Sequence, residues 1–116
     1  MMDVAEVAAA APNDAVDAFL VVLDGPSTNE IHLFSWSQDE LVIGRGDDVH
    51  VRFRELSVSR RHAVLRRDAR GLVLEDLGSA NGTWCNGEHV VWQQVVNDGD
   101  RLRFGTVTTM LVHGAI

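Results

Sequence analysis

The sequence predicts an all-β domain, and three observations carry that expectation. From Ala18 onward the apolar residues come in short runs separated by turn-forming pairs, and no long segment repeats them at helical spacing. The pairs Arg70-Gly71, Asn86-Gly87 and Asp98-Gly99 supply residues that tolerate positive φ and make tight hairpins. About eleven short strands at this spacing predict a sandwich or a barrel.

Residues 1–17 precede the first run. They are Ala-rich, with four acidic residues and no basic one, and predict a disordered or weakly ordered tail. Val4, Val7 and Ala8 have helical spacing, which leaves a short helix on the sandwich as the other reading. Phe19 to Leu23 is a nearly continuous apolar strand, turned by Asp24-Gly25-Pro26, and Ile31 to Trp36 follows as the second. Next come Glu40 to Ile43, Val49 to Phe53, Ala63 to Arg67 and Leu72 to Leu77. The last group is Thr83 to Cys85, His89 to Trp92, Leu102 to Phe104 and Thr108 to Val112.

A chain of 116 residues is one domain and can bury a core without staples. Cys85 is the only cysteine, so neither an intrachain disulfide nor a multi-cysteine zinc site is available. That suits a reducing cytoplasm, the expected location. No apolar stretch approaches the roughly 20 residues that span a bilayer. A formal charge of −7 argues against a surface built for nucleic acid. The arginines are nonetheless gathered: lysine is absent, and seven of the ten arginines fall between positions 45 and 67. Guanidinium groups grip phosphate in a bidentate fashion, so a local arginine cluster on an acidic chain suits a single phosphoryl group. The five histidines show no metal-ligand spacing, and neither a metal nor a cofactor is expected.

Three strings stand where predicted strands hand over to loops: Gly44-Arg45, Ser59-Arg60-Arg61-His62 and Asn81-Gly82-Thr83. A glycine at a strand end lets the backbone turn and lifts the arginine behind it into a loop. Ser59 offers a hydroxyl, Arg60 a charge and a backbone N–H, and the Asn81 amide both donates and accepts. His62 lies three residues from a serine, but a Ser/His pair without a third member is a weak catalytic signal. The loop Gly46-Asp47-Asp48 is acidic and would oppose a dianion unless its carboxylates pair with arginine. Arg52 and Arg54 predict a positive surface extending past the phosphate, suited to acidic residues around the target.

In this order and context the strings resemble the forkhead-associated (FHA) domain, from about Leu20 to Val112. The resemblance implies a β-sandwich of two mostly antiparallel sheets over residues 18–116. It also implies binding of phosphothreonine peptides made by a Ser/Thr kinase, with no catalysis. By resemblance Arg45, Ser59 and Arg60 hold the phosphate, and Asn81 the peptide backbone. Ser79 and Ala80 help select a residue downstream of the phosphothreonine, although Ala80 lacks a hydroxyl. Gly44, His62, Gly82 and Thr83 support the site, with His62 buried beneath the loop. The alternative is an assembly or scaffold module on the same fold that binds its partners without phosphate.

Overall fold

Strand alternation decides which side chains meet. In β1 (Ala18–Asp24), Leu20 and Val22 enter the main core, while Phe19 and Val21 form a separate small cluster with Ile31 and Val112. The computed structural model describes residues 18–24, 28–34 and 40–113. The expectations for residues 1–17, for Gly25-Pro26 and for Ser35-Trp36 lie outside them.

Eleven strands and no helix are formed among the described residues. After β1 come β2 (Ile31–Phe34), β3 (Glu40–Gly44), β4 (Val51–Arg52), β5 (Ala63–Asp68) and β6 (Gly71–Asp76). They are followed by β7 (Thr83–Cys85), β8 (Glu88–His89), β9 (Gln93–Val96), β10 (Arg101–Phe104) and β11 (Val107–His113). One sheet has the order β2-β1-β11-β10-β7-β8 and the other β4-β3-β5-β6-β9. Every pairing is antiparallel except β3 with β4, so the fold is an all-β sandwich of mostly antiparallel sheets.

Between the sheets, Leu41 and Ile43 of β3, Ala63 and Leu65 of β5 and Leu72 and Leu74 of β6 meet Leu102, Phe104 and Leu111 from the other layer. Cys85 lies in this core, where burial, the largest cause, and nearby carboxylates push its thiol up to about 11. It therefore packs as a small hydrophobe. The outer face of the five-stranded sheet is not simply polar. Val42, Val64 and Val73 turn outward by alternation yet are buried. Arg66 is paired with Val73 in register and bonds both Glu40 (2.8 Å) and Glu75, while Gln93 donates to Glu75 (3.0 Å). An arginine stem laid over apolar surface with its head held by carboxylates covers valines that water would otherwise reach.

One predicted strand is corrected. His89 to Trp92 is not continuous: β8 ends at His89, Val90 drops into the core, and Val91 and Trp92 are 85% and 67% exposed. The chain leaves the edge of one sheet there and joins the edge of the other as β9, opposite β6. The apolar run Val90-Val91-Trp92 resembles a strand but is a crossover. The polar start of Gln93-Gln94-Val95-Val96 belongs to a strand that sequence reading missed.

Candidate functional site

The three strings come together at one end of the sandwich, on the loops after β3, before β5 and after β6. Gly44 makes the first contact possible. A Cβ there would sit 2.1 Å from the Arg60 carbonyl oxygen, so only glycine lets the two backbones lie this close. Arg45 N–H then donates to Ser59 O (2.9 Å), and Gly46 N–H to Arg60 O (3.0 Å). Arg45 Nε donates to Val58 O (3.0 Å), which fixes the guanidinium. Its two terminal nitrogens, and the whole Arg60 side chain, have no hydrogen-bond partner among the described residues.

The acidic loop is neutralised by its own neighbours. Asp47 pairs with Arg52 (3.0 Å) and Asp48 with Arg61 (2.9 Å). Arg52 also donates Nε to the Arg45 carbonyl oxygen (3.1 Å). The expectation that Arg52 extends a positive surface is therefore corrected: this arginine answers Asp47 and braces Arg45, and Arg54 remains as the exposed cation of that segment. Beside these groups lies an open cleft of about 420 Å³, lined by Arg45, Gly46, Asp47, Asp48, Arg52 and Arg60.

His62 joins the remaining loops. It is fully buried, its Nδ1 accepts the Ser59 N–H (3.0 Å), and its Nε2 faces Gly82 O at 2.8 Å. An acceptor at Nδ1 and a carbonyl at Nε2 select the neutral tautomer protonated at Nε2. Burial lowers its pKa below the usual histidine value, against smaller opposing effects of the Gly82 bond and the Asp76 charge. The ring nitrogen nearest Ser59 is occupied by a main-chain N–H rather than by the hydroxyl. This is the geometry of a brace, not of a base activating a nucleophile.

The Ser59 hydroxyl instead accepts the Ala80 N–H (3.1 Å), which leaves its own O–H free to donate. Asn81 Nδ2 donates to Ser57 O (2.9 Å), leaving its carbonyl oxygen and second N–H available. Ser79 faces the other way. Its hydroxyl donates to Asp76 Oδ1 (2.6 Å) and accepts Gly82 N–H (3.0 Å), so it works inside its own loop. Gly82 has a positive φ of 90° and lies against the Trp84 ring, 2.5 Å from where a Cβ would stand. Arg103 covers that ring at 3.8 Å.

Sequence reading missed Asp76. Its carboxylate accepts from Thr83 Oγ1 (2.7 Å), from Ser79 Oγ, and from the backbone N–H groups of Gly78 (3.0 Å) and Ser79 (3.1 Å). Burial alone would raise its pKa; the hydrogen bonds from Ser79, Thr83 and Gly78 outweigh that and lower it. The signal was present in Asp76-Leu77-Gly78-Ser79, since an aspartate two residues before a glycine is a common start for a side-chain-capped turn. Among the described residues no three His, Cys, Asp or Glu side chains cluster as metal ligands would.

Comparison with known proteins places this arrangement. The family model described as FHA domain matches residues 41–105. The oxoglutarate dehydrogenase inhibitor of Corynebacterium jeikeium is 33% identical over 98 residues, which cover 84% of this chain and 66% of that protein. FHA domain-containing protein FhaA of Mycobacterium tuberculosis is 45% identical over 65 residues, 55% of this chain and 12% of that protein. The chain thus spans less than two thirds of the length of either relative. A structure solved in a structural and functional analysis of phosphothreonine-dependent FHA domain interactions superposes with a TM-score of 0.74 at 30% identity, covering 86% of this chain and 99% of that one. With two sheets in this order and the family's own pattern running from the start of β3 to the end of β10, the chain belongs to the FHA domain family.

Proposed function

We propose that this domain is a phosphothreonine-dependent interaction module. It docks onto cytoplasmic partner proteins already phosphorylated by a Ser/Thr kinase and performs no catalysis. One observation carries the reading. Arg45, Ser59, Arg60 and Asn81 come from three loops tied to one another by hydrogen bonds, and each retains donors that the protein itself does not use. A doubly negative phosphoryl group needs such convergent, preorganised donors. Arg45 and Arg60 supply charge, the Ser59 O–H a direct hydrogen bond, and the free half of the Asn81 amide holds the peptide backbone. The threonine preference follows the phosphothreonine-dependent interactions described for the solved relative, and a Ser/Thr kinase is the class of enzyme that makes phosphothreonine.

Hydrogen bonds to charged groups contribute about 1.5–3 kcal/mol each, so two or three of them separate a phosphorylated peptide from its plain form by two or more orders of magnitude, roughly. The test is a calorimetric titration with one threonine peptide in both forms. The phosphorylated form is expected to bind at least about 100-fold tighter, and Arg45→Ala is expected to remove most of that difference. Equal affinity for the two forms would refute the proposal and favour the scaffold alternative.

A further inference from the structure

Val91 and Trp92 sit in the crossover between β8 and β9 with 85% and 67% of their surfaces exposed, and Val95, three residues on, is 40% exposed. Single exposed apolar residues are ordinary, but a contiguous pair including tryptophan is the kind of surface that marks an interaction. Neither residue is needed for the core, which takes Val90 and Val96 from the same segment. What gives the pair meaning is its attachment. The Trp92 carbonyl oxygen accepts the Asp76 N–H (3.1 Å), and Asp76 is the residue whose carboxylate shapes the loop bearing Asn81. The apolar pair is therefore continuous with the peptide-holding loop and rigidly tied to it.

We infer that Val91 and Trp92 form an apolar shelf that takes an aliphatic or aromatic side chain of the phosphorylated ligand itself, outside the phosphate pocket. This rests on the phosphopeptide reading above. The register sets the reach. Ala63 opens β5 just after His62 and pairs with Asp76, which in turn bonds Trp92, so two strand spacings, about 10 Å, separate the end of the Ser57–His62 loop from the shelf backbone. Ser59, which would face the phosphate, stands further back along that loop. An extended peptide advancing about 3.3 Å per residue meets the shelf side chains roughly four to six residues from the phosphothreonine. The occupant is argued to be a stretch of the same linear ligand because the shelf begins where the loop that would hold its backbone ends. Tryptophan suits such a contact, offering a large rigid face at little entropic cost.

The test uses two lengths of phosphothreonine peptide, titrated against the full chain. A short peptide stops two residues either side of the phosphothreonine; a long one extends eight residues either way, with leucine or alanine at positions four to six on each side. The leucine peptide is expected to bind about five- to tenfold tighter than its alanine counterpart, in line with burial of one aliphatic side chain. Trp92→Ala, and separately Val91→Ser, should cancel that gain while the short peptide binds as before. Both positions are surface-exposed, and an unchanged short-peptide affinity also shows that each variant is folded. If leucine and alanine peptides bind alike, or if the leucine gain survives in both variants, the shelf is refuted while the phosphopeptide reading stands. Concentration-dependent self-association abolished by Trp92→Ala, with no leucine effect, would assign the surface to a second copy instead. If neither length binds in a phosphate-dependent way, the shelf and the phosphopeptide reading fall together.

Discussion

Asp76 shows how much of a loop one half-buried carboxylate can organise. It accepts four hydrogen bonds from Gly78, Ser79 and Thr83, and removing it leaves those donors facing a gap. Asp76→Ala is expected to destabilise the fold by about 2–3 kcal/mol, measured by urea denaturation, and to weaken phosphopeptide binding although the Asp76 carboxylate is turned to its own loop. A variant as stable as the parent would remove the assigned role. His62 gives the matching pH prediction. Its folded pKa lies below the ordinary 6.5, so below that value the unfolded chain binds the proton more readily than the fold does. Stability is then fully present at neutral pH and falls as pH drops from about 6.5 towards the lower folded value. Asp76 adds a second loss at more acid pH, beginning near the unfolded carboxylate value, because its folded pKa is also lowered. A urea midpoint that stays constant from pH 7.5 to 5 in the parent, or that falls equally in His62→Gln, would contradict the account for His62. Arg45, Ser59 and Asn81 were singled out through the family resemblance, because a Gly-Arg pair, a serine or an Asn-Gly pair is by itself common, and the structure brings their three loops together. Asp76 was not, because its partners form only when the loop closes back over the end of β6, and the inward turn of Ser79 follows from the same closure.

At the scale of elements, the ends of β3 and β10 show why particular strands stop at glycine. At Gly44 a side chain would collide with the Arg60 backbone, and at Gly105 one would stand 2.4 Å from the Ser57 carbonyl oxygen. Both contacts press the Ser57 to His62 loop against the sandwich, one from each sheet. Gly44→Ala is expected to push that loop outward, lowering phosphopeptide affinity at least about tenfold and costing stability in the range of overpacked positions, about 1–3 kcal/mol. Titration and thermal unfolding check the two halves separately, and an unchanged affinity would mean the close approach is incidental. Most strands were readable because alternation and turn pairs are properties of short windows. The split between β8 and β9 was not. Which sheet a residue joins after Val90 depends on β6 offering an open edge, and hydropathy of the run carries no record of that. The outward valines under Arg66 were hidden likewise, since the arginine is held over them by Glu40 and Glu75 on neighbouring strands.

For the whole molecule, the separation of the binding end from the strand ends at the opposite pole follows from register. The turn between β10 and β11 lies at the site: Gly105 N–H donates to Gly82 O (3.0 Å), and Thr106 N–H to Ser57 Oγ (3.0 Å). From there β11 runs away to His113, which pairs with Ala18 at the start of β1. Six residue steps at about 3.3 Å put that pole roughly 20 Å from the site. That distance exceeds the screening length of about 8 Å at physiological ionic strength, so charge placed there is felt only weakly at the phosphate. Arg54 stands on the site's own loop, between β4 and β5. His113→Glu is therefore expected to leave phosphopeptide affinity within about twofold at 150 mM salt, whereas Arg54→Glu lowers it several-fold. Both effects should grow as salt is reduced to 20 mM, where screening extends beyond about 20 Å. Titrations at the two salt concentrations decide it. A larger effect from the distant His113→Glu than from Arg54→Glu at 150 mM would mean that net charge, rather than the local donors, governs recognition.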